Sequence, residues 1–167
     1  MKRYNGQEQR LLAIWAADCA ERVLPLFEKM RPKDRRPREA IKACRRWVRT
    51  GVFRMADIRK ASLGAHAAAR KMKNNDMACF AARAAGHSVA TAHVPEHAFG
   101  SSYYAIKALE AVDSANEAGR RARISRELKW QWKHLPKALR KGWIRWQARK
   151  LPKAMKERWR EEMKTKG

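Results

Sequence analysis

The sequence predicts an all-α protein: a single helical bundle of about five helices with a short C-terminal helical extension. Three observations predict this class. Period-two runs of β-branched residues are nearly absent, while alanine is abundant, so strand signals are missing. Apolar residues recur at helical spacing, beginning with Leu11, Trp15, Cys19 and Val23. Helix punctuation by proline, glycine and asparagine is plentiful.

The first helix is expected from about Gln7 to Met30, its stripe continued by Leu26, Phe27 and Met30. Pro25 lacks an amide hydrogen, so it is expected to break the ladder and start a second short segment. Arg31 to Pro37 is a charged loop. Pro37 is suited to the first turn of a helix over Arg38 to Arg49, which Gly51 ends. A third helix spans roughly Met55 to Lys73. Asn75 caps a fourth, Asp76 to about Ala92, which carries few charges and is apolar almost all round. Such a helix is normally buried, so this is the expected central helix, with Ala81, Ala85, Val89 and Ala92 inside and His87 nearly so. Pro95 opens a fifth helix running to about Glu117 through Phe99, Tyr103, Tyr104, Ile106 and Leu109.

At Gly119 the composition shifts. Residues 119–167 hold 18 basic and 4 acidic residues, net +14, with five of the seven tryptophans. The chain thus divides into a helical domain, 1–118, and a basic Trp-rich helical extension, 119–167, packed on it. The extension contains a 16-residue repeat, LPKALRKGWIRWQARK (Leu135–Lys150) followed by LPKAMKERWREEMKTK (Leu151–Lys166). A proline near each start reads as two short helices with proline in the first turn. Before them, Ile124, Leu128, Trp132 and Leu135 share one helix face. Leu139, Trp143 and Trp146 form a second stripe, and Met155, Trp159 and Met163 a third. Spacing therefore assigns most of these tryptophans to packing. Trp130 is out of phase and is the best exposed-aromatic candidate.

The chain of 167 residues is 45% hydrophobic, enough for a core, and carries a formal charge of +24. Such a charge attracts polyanions or acidic protein surfaces and says nothing about fold. Cys19, Cys44 and Cys79 are scattered and odd in number, with no C-x-x-C, which argues against a disulfide framework or zinc site and for reduced thiols in a cytoplasm. The start, MKRYNGQEQR, has no apolar signal region. The most apolar stretch, Met77 to Val94, is interrupted by Arg83, His87 and His93, so no membrane association is expected.

Phosphate-binding, dinucleotide-binding and nucleophile-elbow motifs are absent, and the few carboxylates form no acid–base pair, so no catalytic residue is assigned. The histidines form H-x5-H-x3-H over His87, His93 and His97, with His66 on the preceding helix. Zinc would need converging imidazoles and further ligands, and Pro95 argues against a shared face for His93 and His97. No metal and no cofactor is expected. Asp18 with Arg22, His66 with Arg70, and Arg83 with His87 are each spaced i, i+4 and could be local pairs. Alternatively, Asp18, Arg38, His66, Arg83 and His87 converge in one network, which if buried must be fully paired.

Four segments carry a family resemblance: LLAIWAADCAERVLPLFEK (Leu11–Lys29), RPREAIKACRRW (Arg36–Trp47), LGAHAAAR (Leu63–Arg70) and AARAAGHSVATAHVPEHAFGSSYYAIKAL (Ala81–Leu109). Together, over about Gln7 to Ala115, they resemble bacterial immunity proteins of polymorphic toxin systems, the Imm-five-like domains. A weaker stretch, ELKWQWKHLPKALR (Glu127–Arg140), continues the likeness. The resemblance implies an α-helical, non-catalytic protein that neutralises a cognate toxin by binding it. It places the family's polar positions on Asp18, Arg38, His66, Arg70, His87, His93 and His97. The charge departs from this pattern, because an inhibitor of a basic nuclease should be acidic. Either the target is acidic or the fold has been reused. The alternative function is that of a small basic nucleic-acid-binding protein. Its candidate contacts are Arg120, Arg121, Arg123, Lys129, Trp130, Lys137, Arg140, Lys141 and Arg145. Weak electrostatic nucleic-acid binding is expected of such a surface in either case. Oligomeric state is not legible.

Overall fold

The computed structural model of the protein describes residues 3–112, 116–151, 156, 157 and 159–161. Among these residues seven helices can be followed from end to end: α1 (Gly6–Glu28), α2 (Arg36–Thr50), α3 (Met55–Arg70), α4 (Asp76–Ala90), α5 (His97–Glu110), α6 (Glu117–His134) and α7 (Lys137–Lys150); residues 156, 157 and 159–161 are also helical. No strand occurs among the described residues. The all-α class is as expected, but about five helices is too few. The elements read as a short extension include α6 and α7, of 18 and 14 residues. Their Ile124, Leu128, Leu139 and Trp143 belong to the same apolar cluster as the side chains of α1 to α5. No helix among the described residues is long and apolar enough to cross a membrane.

Local chemistry explains most boundaries. Asn5 and Glu8 form a reciprocal capping box on α1, satisfying two amides that the first turn leaves unpaired. Pro25 does not start a new segment; it lies inside an unbroken α1. It is exposed, so the carbonyl one turn back that loses its partner lies on the solvent side, where water can satisfy it. Proline opens α2, and Gly51, at φ 68°, closes it with a hydrogen bond from its N–H to the Trp47 carbonyl. Asn75 caps α4 through Ala78 N, and Asn116 caps α6 through Gly119 N. Pro136 stands one position earlier than expected, at the N-cap of α7. Of the second repeat, Trp159 lies half-buried with its ring edge-on to Trp143, 6.2 Å away. Met155, Met163 and most of that repeat lie outside the described residues.

The interior forms around α4, which packs against α1, α2, α3 and α5. Nine of its 15 residues are buried, six of them alanine, so neighbouring backbones approach closely on several sides. Ala81, Ala85, Val89 and Ala92 are buried as expected, and His87 is half-buried.

A buried polar network ties α6 and α7 to α1 and α5. Arg22 Nε donates to Glu127 at 2.8 Å, and Gln131 Nε2 donates to the same carboxylate at 2.9 Å. Ser102 Oγ donates to Gln131 Oε1 at 2.6 Å, and Trp143 Nε1 donates to Ser102 Oγ at 3.2 Å. Trp15 Nε1 donates to the Gln131 carbonyl. Glu127, Gln131, Ser102, Trp15 and Trp143 thereby each have a partner, which is the condition for tolerating them in an apolar interior. Arg22 thus pairs with Glu127 rather than with Asp18 four residues before it, and the packing of α6 on α1 selects the longer-range partner.

Candidate functional site: a cluster of neutral histidines

Four of the seven expected polar positions lie side by side. His66 from α3, His87 from α4, His93 from the turn after α4 and His97 at the start of α5 form a continuous file of rings. Successive centroids lie 5.2 Å (His66–His87), 5.1 Å (His87–His97) and 5.3 Å (His97–His93) apart. Pro95 does not keep His93 and His97 apart. The turn between α4 and α5 folds them together although no helix runs through both.

Two glycines make the file possible. A Cβ on Gly86 would lie 2.9 Å from the His66 ring, and one on Gly100 would lie 2.8 Å from His87 Nδ1. Each imidazole therefore sits directly on helix backbone, a closeness only glycine permits. Tyr104 covers the other side of His87, stacked at 5.2 Å with 21° between planes, and Arg83 lies over the Tyr104 ring. Ser62 Oγ donates to the Gly86 carbonyl at 3.0 Å, fixing α3 against α4 at this level.

The environment holds the imidazoles neutral. Burial pushes His66 down to about 4, aided by the positive charges of Arg83 and Arg70. Burial pushes His87 down to about 3, with His66, His97 and Arg83 adding to the effect. His93 is lowered by burial and Arg59. His97 is lowered by burial and His93, with Glu96 opposing. His87 Nδ1 and His97 Nδ1 lie 3.1 Å apart. Two neutral rings can share that contact only when one carries the proton and the other accepts, so the two take opposite tautomers. His66 Nδ1 and His93 Nδ1 are buried without a hydrogen-bond partner. Such a file can accept or donate hydrogen bonds.

The other predicted positions are elsewhere. Asp18 is not in the cluster; it pairs with Arg45 at 2.9 Å, and Arg45 also contacts Glu21. Arg38 is not in it either, making a two-pronged pair with Glu28 at 2.5 and 2.6 Å. Both face the groove between α1 and α2, where opposite charge is nearer than the histidines. Arg70 is exposed and acts on His66 only through its charge. The i, i+4 spacing of His66 with Arg70 and of Arg83 with His87 thus places like charge beside a neutral ring. Tyr104, Gly86 and Gly100 were missed as site residues. The A-A-G-H and F-G-S-S runs were the available signal, since glycine inside a helix asks for a close neighbour.

Chemistry of other kinds finds no set of groups here. Among the described residues, no group of three or more His, Cys, Asp or Glu is placed to hold a metal ion. Cys19 and Cys44 are buried, and burial raises both thiols, Cys44 to about 12, so neither is a ready nucleophile.

The basic candidates on α6 and α7 are largely engaged within the protein. Arg120 and Arg121 pair with Glu117. Arg123 donates to the Leu109 and Val112 carbonyls, closing the end of α5. Arg140 donates to the Leu135 carbonyl and covers Trp132. Trp130 is not a free ring: it is half-buried, with the Arg22 guanidinium 4.1 Å from its centroid and His134 stacked at 4.2 Å. Its phase is wrong for its own helix's apolar face but right for contact with α1. Lys137, Lys141 and Arg145 are exposed.

Fold and site together define a basic helical protein in which a half-buried file of uncharged histidines runs from α3 across the core helix α4 to the start of α5. Comparison supplies the lineage: residues 2–138 match the family described as Imm-5 like putative immunity protein, and the chain belongs to that family. The match runs beyond α5 through all of α6, leaving out most of α7. No curated protein and no solved structure matches the chain.

Proposed function

We propose that this protein neutralises a toxin by binding it, without catalysis, and that it acts in a bacterial cytoplasm. The observation that carries the reading is the family match over residues 2–138, which takes in all four histidines of the file. The chemistry of the site agrees with it. Rings lowered to about 3 and 4 are poor proton acceptors at neutral pH, because a useful general base titrates near the working pH. Neutral rings packed on glycines are suited to holding a surface in one shape. The helical domain would then be residues 1–118, with residues 119–167 as a basic brace, since the Glu127–Gln131–Ser102 network joins the two. Nothing observed favours the nucleic-acid reading over this one, because the tail's Trp130 and four of its arginines already have partners within the chain.

The test is growth. Each open reading frame flanking the gene is expressed in a bacterial host with and without the chain. One should arrest growth; the chain should restore it and elute with the arresting protein as a stoichiometric complex. Restoration without a complex would refute the binding mechanism, and no restoration would refute the function.

A further inference from the structure

Among the described residues, eight large hydrophobic side chains remain exposed, and they are not spread evenly. Val52, Phe53 and Met55 fall within four residues of one another at the α2–α3 connection, and none of the eight lies on α5, α6 or α7. Beside them is a groove of about 310 Å³. Trp47, Ile58 and Ala43 form its floor, and Arg46, Arg54 and Val52 stand on its rim with Thr50 and Asp57. Trp47 and Ile58 are only 8% and 4% exposed, so the floor is apolar core showing through an opening.

The charge around this groove is positive. Arg46, Arg49, Arg54 and Arg59 are exposed, and among the described residues none of them makes an ion pair, unlike the arginines of the α1–α2 groove. The guanidinium of Arg10 adds to them, lying 2.7 Å from where a Cβ on Gly51 would stand. Asp57 is the one carboxylate on the rim. The connection is also held in shape. Gly51 N–H bonds the Trp47 carbonyl, Thr50 Oγ1 donates to the Arg46 carbonyl, and Val52 N–H donates to Thr50 Oγ1. A surface held in its bound shape loses less freedom on association.

We propose that this groove is the protein's docking site for an acidic protein surface that inserts one aromatic or aliphatic side chain between carboxylates. The carboxylates would face Arg46 and Arg54, and the apolar anchor would reach Trp47 and Ile58. A buried anchor ringed by polar contacts is the arrangement in which few residues carry most of the binding energy. Unpaired arginines set the sign of the partner, since a basic surface would be repelled. This rests on the reading of the chain as a protein-binding molecule, and it resolves the charge conflict by making the partner acidic.

The test uses the full chain, labelled with nitrogen-15, and a synthetic peptide carrying one phenylalanine between pairs of aspartates. A control peptide has serine in place of phenylalanine. Amide shifts should concentrate in residues 46–58. The serine peptide should bind at least tenfold more weakly. Arg46→Glu with Arg54→Glu should weaken the phenylalanine peptide at least tenfold, while Lys137→Glu with Lys141→Glu, an equal charge change, should alter it less than twofold. Circular dichroism of both variants confirms that they fold. Equal losses in the two double variants, equal affinity for the two peptides, or shifts centred on α6 and α7 would each overturn the proposal. Growth rescue by the unaltered chain judges the toxin reading separately, so one can fail while the other stands.

Discussion

Mild acid should destabilise this protein in a window that its histidines set. Both His66 and His87 have folded-state values far below the 6.5 of an unfolded chain, about 4 and about 3. The unfolded state therefore takes up protons on these rings while the folded state does not. Stability is complete above about pH 6.5 and falls as pH drops towards the folded values. One group in this regime contributes a slope of about 1.4 kcal/mol per pH unit. Two groups over the interval from pH 6.5 to 5 would give about 4 kcal/mol at full effect. Both rings are half-buried and their shifts are coupled, since His66 acts on His87, so about 2–3 kcal/mol is the better expectation. Below pH 5 carboxylates begin to titrate, so the interval above 5 isolates the imidazoles. Urea melts at fixed ionic strength, repeated from pH 7.5 to 5, measure the effect. His66→Gln with His87→Gln should lower stability at pH 7.5 but flatten the dependence by about the same 2–3 kcal/mol. Arg83 and Arg70 face His66, and Arg83 and His97 face His87, so added salt should shallow the unaltered protein's slope. Parallel pH profiles for the two proteins would refute the reasoning, because the loss would then come from net charge alone.

Other outcomes follow from packing and pairing. Gly86→Ala should cost about 1–3 kcal/mol in thermal or urea unfolding, since the added Cβ meets the His66 ring at 2.9 Å and the ring is held by α4 and Tyr104's neighbour His87. Glu127→Ala should cost about 1–3 kcal/mol by stripping partners from Gln131 and Arg22, and Glu127→Gln should recover part of it. Asp18→Ala should behave as a surface change, costing about 0–1 kcal/mol, because Arg45 keeps Glu21 and stays hydrated. In native protein a thiol reagent should modify Cys79 first and leave Cys19 and Cys44 unmodified until unfolding, which mass spectrometry of the peptides would show.

The helices were legible because their signals are local. A 3.6-residue apolar period, an asparagine before Asp76 and a glycine after Thr50 each act within one turn of chain, and the boundaries of α2, α3 and α4 came out near their expected places. Pro25 misled because proline removes one hydrogen bond wherever it stands, while the cost depends on whether water reaches the freed carbonyl. The weight of α6 and α7 was underread for a related reason. Their charge was visible in the sequence, but Glu127 and Gln131, polar residues on a helix read by its apolar stripe, are among the most buried groups present, at 2% and 0% exposed. Their burial depends on Arg22 and Ser102, which lie 105 and 29 residues away in the chain.

The site divides along the same line. Histidine spacing within α4 and its turn was visible, but spacing could not say that His66 would meet His87. That meeting depends on how α3 is rotated against α4, and the rotation is set by alanine faces that look alike in sequence from several angles. Glycine breaks the degeneracy. Once Gly86 and Gly100 are recognised as gaps of one side chain on adjoining helices, only one rotation of each pair lets a large flat ring fill the gap without leaving a void or a clash. The same gaps explain why Asp18 and Arg38 stay outside. A charged carboxylate or guanidinium filling such a gap would have to leave water, whereas in the α1–α2 groove each finds an opposite charge while still partly hydrated. Neutral rings occupy the interior positions and ions the grooves because desolvating an imidazole is cheaper than desolvating an ion. That ordering decides which polar residues of this chain can form a single cluster.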